Sequence, residues 1–193
     1  MRQTFGSFIQ AFPPDHDSLV LSFTPTSERI RNRWRSQRLS AHFVADYIAN
    51  FLPLNKDDSS DEQQLKEAKS SIGYIANELL ENAMKFNMNA GGCKVKLGVH
   101  YLEPTAIMFT MNSVTPSGAE KFQAFIEKLL TSDPEEMYMQ QVEASLEDEN
   151  ASMSGLGYLT MINDYQASLG WQFEAPQPGS DIISVTTMVQ LKV

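Results

Sequence analysis

Between Ile75 and Phe86 the chain reads Ile-Ala-Asn-Glu-Leu-Leu-Glu-Asn-Ala-Met-Lys-Phe, which spaces Glu78, Asn82 and Lys85 by four and then three residues. At about 100° per residue, Ile72, Ile75, Leu79, Ala83 and Phe86 gather into an apolar stripe. Glu78, Asn82, Lys85 and Asn89 form a second, narrow stripe roughly 100° further round. A carboxylate that can exchange a proton, an amide that both donates and accepts, and an ammonium charge thus share one edge of a helix. The boundary of any amphipathic helix carries a similar solvated row, so the row gains meaning from what the rest of the chain supplies. Two further segments stand out. Ser154-Gly155-Leu156-Gly157-Tyr158 follows a polar, acidic stretch from Glu147 to Ser154 that reads as a mobile loop, and it directly precedes an apolar helical pattern. In the closing run Val185-Thr186-Thr187-Met188-Val189, strand alternation puts Thr187 on the face of Val185, Val189 and Leu191, where an ordinary β-branched strand residue would also sit.

The elements that must position these residues can be read along the chain. Leu19 to Phe23 predicts a short strand, Thr24-Pro25 opens a helix to about Arg38, and Ser40 caps a second helix that stops before Pro53. After the polar loop from Asn55 to Asp61, a long helix begins near Glu62, with Ser60 and Gln63 spaced as a capping box and Gly91-Gly92 as its stop. Val95 to Tyr101 and Thr105 to Met111 predict a hairpin turned at Glu103-Pro104. Helices follow from Ser117 to Leu130, from Pro134 with Asp133 as its cap, and from Leu156 to Leu169; strands at Trp171 to Ala175 and Ile182 to Val193 close the chain. That order predicts an α+β fold, a mostly antiparallel sheet with helices on one face. Residues 1–61 read as an N-terminal strand and an Arg-rich helical segment belonging to the same folding unit as 62–193.

Composition narrows the function classes. With 193 residues, 42% of them hydrophobic, the chain can bury a full core and is not a disordered segment. Apolar runs fall well short of the ~20 residues a membrane span needs, so a cytoplasmic protein with no membrane partner is expected. One cysteine, Cys93, forms no internal disulfide, and the scattered His16, His42 and His100 lack metal-ligand spacing. Net charge is -9, and no Lys or Arg occurs from Leu129 to Leu191, which argues against a nucleic-acid partner for that acidic part. Five of the six arginines fall between Arg29 and Arg38, beside Ile30 and Trp34, as on an amphipathic helix packed against the domain or offering a docking face.

The segment Glu78-Leu-Leu-Glu-Asn82-Ala-Met-Lys85-Phe86 resembles the N-box of the GHKL ATPases, a family of gyrase and chaperone ATPase domains, histidine-kinase catalytic domains and anti-sigma-factor serine kinases. The resemblance implies the Bergerat fold, a two-layer α/β sandwich, and ATP with Mg²⁺ as its ligands. It implies that Glu78 positions or deprotonates the attacking group, that Asn82 holds the metal, and that Lys85 meets phosphate charge. Ser154 to Tyr158 is similar to the family's glycine-rich box, where the backbone at Gly155, Leu156 and Gly157 approaches phosphate oxygens and a helix N-terminus adds positive potential. Thr187 resembles the threonine that reaches the adenine pocket.

The resemblance covers about residues 65 to 193 and departs in one place. The family usually carries Asp-x-Gly-x-Gly after the second strand, its carboxylate accepting from the adenine amino group; here the chain reads Met111-Asn112-Ser-Val-Thr-Pro-Ser-Gly118. Asn112 keeps a carbonyl acceptor and adds an amide donor. Either the pocket holds ATP in a modified way, or nucleotide binding is weakened and the domain serves as an interaction module. Among the branches, His42 in Leu39-Ser-Ala-His-Phe-Val-Ala-Asp46 lacks the acidic residue and proline of a phosphoacceptor motif. The chain is most similar to SiaB-like kinases of bacterial partner switching. That branch implies a serine/threonine kinase acting on a small antagonist protein, and leaves a homodimer open.

Overall fold

The computed structural model describes residues 2–24, 30–53, 59–88, 93–147, 155–177 and 179–193, with the side chains of 30–36, 59 and 144–147 outside the description. The elements follow in the order β1 (Arg2–Gly6), β2 (Asp17–Phe23), α1 (Ile30–Ala49), α2 (Ser59–Phe86), β3 (Val95–Leu102), β4 (Thr105–Val114), α3 (Pro116–Thr131), α4 (Pro134–Glu147), α5 (Leu156–Asn163), β5 (Ser168–Glu174) and β6 (Ile183–Lys192). All six strands join one sheet in the order β1-β5-β6-β4-β3-β2, and every neighbouring pair is antiparallel. Helices cover one face, so the fold is the α+β two-layer sandwich that the element order predicts.

Alternation explains which side each residue takes. Val95, Leu97 and Val99 of β3, Ala106 and Met108 of β4, Val185 and Val189 of β6, and Trp171 and Phe173 of β5 all point to the helices. They meet Ile72, Ile75, Leu79 and Ala83 of α2, and Val44, Ala45 and Ile48 of α1, in one continuous core. Residues from the first 61 positions therefore share the core of the remainder. No helix among the described residues is long and apolar enough to cross a membrane.

The opposite face is covered by chain. Residues 7–16 run across the back of the sheet, linking β1 at one edge to β2 at the other. Ser7 N–H donates to Leu169 O at 2.8 Å, and the Gln190 side chain donates to Ser7 O. The Phe12 ring stacks on His100 at 3.9 Å, and His100 in turn stacks on Phe109 at 5.2 Å. Glycine is required under this crossing, since a Cβ on Gly170 would lie 2.5 Å from Phe8 N and one on Gly98 would enter the Phe109 ring.

Several sequence expectations are corrected. The N-terminal strand β1 is additional to the predicted set, an edge strand with one half-buried apolar side chain, Phe5. One continuous helix α1 replaces the two separated at Ser40, because Ala41, Val44, Ala45 and Ile48 extend a single buried seam against α2. Ser60 lies inside α2, which starts at Ser59, and the Gln63 side chain donates to Glu67. The same helix ends at Phe86, ahead of Gly91-Gly92, which lie outside the described residues, as do Asn89, Arg29, Pro25 and the 148–154 part of the expected loop. Phe86, expected in the core, is 41% exposed at that open end. Finally, α5 stops at Asn163 and residues Ser168–Leu169 belong to β5; Gln166, with φ 52°, turns the chain between them.

Candidate functional site

The buried stripe of α2 fixes the rotation of the helix, and with it the polar stripe. Ile75 and Leu79 are fully buried on the sheet, which turns Glu78, Glu81, Asn82 and Lys85 to one side of the contact. Its C-terminal end is pinned by Asn87, whose Oδ1 accepts from Ser113 N–H at 2.9 Å while Nδ2 donates to the carbonyls of Met88 and Cys93. Met88 N–H donates to Ser113 O at 2.7 Å, so the helix terminus is tied to β4 one residue beyond Asn112. These bonds set the width of the space between α2 and the end of β4.

That space is a cavity of about 420 Å³ walled by α2, β4, β6, α3 and the start of α5. Of the eight residues singled out in the sequence, seven line it: Glu78, Asn82, Lys85, Asn112, Gly155, Gly157 and Thr187. Leu156 does not line it; its place is the first residue of α5 between two glycines that do. Asn112 is not in a loop, because β4 runs on to Val114 in register with Ile183 of β6 and places the amide inside the strand, opposite Val185. It is 7% exposed, and its side chain has no hydrogen-bond partner among the described residues. Where the sequence lacks the glycine-rich box, Thr115 caps α3 through its Oγ1, which accepts from Gly118 N–H at 3.1 Å, with Pro116 at the first helical position.

Glycine matters at both positions of α5. Gly155 caps the helix in the left-handed region at φ 64°, and a Cβ there would lie 2.5 Å from Cζ of Phe125. Gly157 has no such constraint; a Cβ on it would lie 2.5 Å from Oε2 of Glu78. The bare Gly157 backbone thus allows the Glu78 carboxylate to sit against the first turn of α5, whose Leu156 and Gly157 amides precede the first intrahelical donor, Tyr158 N–H to Gly155 O. Burial, and then the negative Glu81 one turn away, push the Glu78 carboxyl above the usual carboxylate range. Beside Thr187, the buried Tyr158 hydroxyl is pushed up to about 12 chiefly by burial, partly offset by its hydrogen bond to Thr187.

Sequence reasoning passed over Lys121, Phe122 and Phe125 of α3 and Tyr158 of α5, all of which line the cavity. The three rings form a wall with centroids 6.1–6.4 Å apart. Tyr158 was legible as the neighbour of the glycine pair; the α3 residues look like any amphipathic helix until α3 is laid beside α5.

Chemically the cavity is divided. Val114 and Val185 flank two buried polar groups, Asn112 and Thr187, which suits a flat heteroaromatic base. The rest of the lining includes the exposed ammonium groups Lys85 and Lys121, the neutral oxygen of Asn82, the carboxylate of Glu78 and the α5 N-terminus. Such a donor set fits a polyphosphate with a hard cation, for which one amide oxygen plus phosphate and water oxygens are sufficient ligands. The Asn112 amide has no partner within the described fold and opens on the cavity, where it can bond a polar ligand.

No family model matches the chain, and no curated protein matches it. Among solved structures, the chain is similar to one in the crystal structure of the SiaB-SiaC complex from Pseudomonas aeruginosa, with a TM-score of 0.53 and 12% sequence identity. The match covers 91% of this chain and 89% of the other, and at that identity the likeness is one of fold.

Proposed function

We propose that the protein is an ATP- and Mg²⁺-dependent protein serine/threonine kinase of a bacterial partner-switching pathway, phosphorylating a small antagonist protein. One observation carries the reading: Glu78, Asn82, Lys85, Asn112, Gly155, Gly157 and Thr187, spread over more than a hundred residues of sequence, line one cavity. The fold likeness to a chain from a SiaB-SiaC complex supports it, since that structure pairs two proteins, as a kinase acting on a protein requires.

In this reading Asn112 and Thr187 hold the adenine, while Lys85, Lys121 and the amides of Gly155 to Gly157 hold phosphate oxygens. Asn82 offers its Oδ1 to the cation. Mg²⁺, when bound, neutralises charge on the transferring phosphoryl group. Glu78 orients the acceptor hydroxyl and takes its proton as the oxygen attacks the γ-phosphorus and ADP leaves. Its raised pKa makes it a better base than an exposed glutamate, nearer to working pH.

A second reading, a non-catalytic regulatory binder, is favoured by the path from β4 to α3: a neutral amide at Asn112 and a direct Thr115 cap stand where the family has a carboxylate and a glycine-rich loop. Thermal melting with ATP or ADP, with and without Mg²⁺, separates the two, because a ligand that binds only the folded state raises apparent stability. A Mg²⁺-dependent rise that is lost in Asn82→Ala, together with transfer of labelled γ-phosphate to a protein partner, supports the kinase. No rise at millimolar nucleotide refutes it and leaves the binder.

A further inference from the structure

A second groove lies along the outer side of α2, where α1 packs on it, with a volume of about 460 Å³. Small residues set its depth: Ala41 is buried in its floor, and Gly73 faces Ala45 with its Cβ position 3.9 Å from the alanine methyl. Four cationic or imidazole side chains line it, Arg38 and His42 from α1 and Lys66 and Lys69 from α2. In a chain of net charge -9 the groove is thus lined by three basic side chains and a histidine and by no carboxylate. Lys69 pairs with Asp46 at 2.9 Å, but both side chains are well exposed, so an incoming carboxylate can compete for the ammonium. Neither Arg38 nor Lys66 has an ion-pair partner among the described residues.

The position of the groove is what gives it a use. Asn77 lines the groove, and the next residue, Glu78, lines the cavity. Along α2, Lys69 and Lys66 precede Glu78 by nine and twelve residues, or about 13 and 18 Å at the helical rise. An extended segment covers those distances in roughly four to six residues. Glu81, one turn beyond Asn77, lies on the cavity side of the boundary and disfavours a carboxylate immediately beside the reacting hydroxyl.

We propose that the α1–α2 groove docks an acidic segment of the phosphoacceptor protein, holding carboxylates four to six residues from the acceptor hydroxyl. The inference rests on the kinase reading for the hydroxyl and on the groove alone for the acidic docking.

The probes are two fluorescent 15-residue peptides with one threonine, one with three glutamates at positions four to six from it and one with glutamines in their place. A single-stranded oligonucleotide of matched charge is the third. Anisotropy with the full chain should give the glutamate peptide about tenfold tighter binding at low salt, from three exposed ion pairs, and the preference should collapse at 0.5 M salt. The double variant Arg38→Glu/Lys66→Glu should abolish the preference while keeping the wild-type Mg-ATP thermal shift; Arg38→Gln/Lys66→Gln should reduce it severalfold and serves if the charge reversal impairs folding. Equal binding of the two peptides, or a preference unchanged in the glutamine variant, overturns the proposal, as does an oligonucleotide that binds through the same residues as tightly as the acidic peptide. If the peptide preference and its groove dependence hold while Mg-ATP gives no shift, acidic docking stands and the kinase reading fails.

Discussion

Replacing Gly157 with alanine separates the position of Glu78 from the stability of the fold. The new Cβ would lie 2.5 Å from Oε2 and 3.4 Å from Cδ of Glu78, so the carboxylate must retreat by about 0.9 Å to restore an ordinary carbon–oxygen contact. What yields is the end of a flexible side chain, and Gly157 sits in the first turn of α5 with an unconstrained φ. Alanine there gains up to about 1 kcal/mol of helix preference, worth roughly 2–4 °C in melting temperature for a chain of this length. Displacing a catalytic group by 1 Å can cost about 100-fold, so on the kinase reading this retreat predicts an about ten- to hundredfold fall in the phosphoryl-transfer rate. Mg-ATP affinity should change by less than about threefold, since the Gly157 amide is untouched. Melting curves and single-turnover transfer of labelled phosphate read the two effects. Gly155→Ala is the contrast, because its left-handed φ and the Phe125 ring at 2.5 Å make it lose stability. A Gly157→Ala protein that melts well below wild type, or transfers phosphate at the wild-type rate, would refute the reasoning.

Glu78→Gln should raise the melting temperature at pH 7–8 and, on the kinase reading, remove transfer. Because the native state raises the carboxyl above its ordinary 4.5, the stability contributed by Glu78 is full below that value and is lost as pH climbs through the native pKa. The gap between variant and wild type should therefore open with rising pH, and a gap that is constant from pH 4 to pH 8 contradicts the assignment. Asn112→Asp should lower the stability of the nucleotide-free protein, by burying an unpaired charge, and widen its preference for ATP over GTP by at least about tenfold. The physical reason is that an amide can turn to meet either purine edge, whereas a carboxylate only accepts. Thermal shifts with the two nucleotides measure the ratio, and an unchanged ratio removes Asn112 from base recognition.

Much of the site was legible because its residues sit on long, regular elements. Ile72, Ile75, Leu79 and Ala83 obey the helical period and are buried, and the neighbouring polar stripe turns into the cavity as a direct consequence. Thr187 follows in the same way from alternation in β6. The period misled at Phe86, where the helix ends at the cavity and no partner remains to cover the ring. Local pattern also failed where ladders overrode it. Leu169, Trp171 and Phe173 alternate inward as β5, yet the preceding apolar run draws a helical reading past Asn163, and pairing with Val189, Thr187 and Val185 of β6 decides the matter. Asn112 lay beyond the expected strand because register with β6 carries β4 to Val114. Arg2–Gly6 offers one apolar residue to the core, too little to mark a strand whose reason for existing is the open edge of β5.

The strap across the back of the sheet bears on the order in which the molecule can be completed. β1 and β2 are neighbours in sequence but occupy opposite edges, and Arg2 reaches Gln172, 170 residues away. During synthesis β2 can join β3 once the first hairpin has formed, whereas β1 has no partner until β5 emerges. Residues 7–16 therefore remain tethered at one end only while the β2-β3-β4 part of the sheet assembles, leaving Ile107 uncovered on its back. Long-range closure of this kind is slow and exposes apolar surface in the meantime. The nascent chain thus depends on its earliest strand being the last to dock.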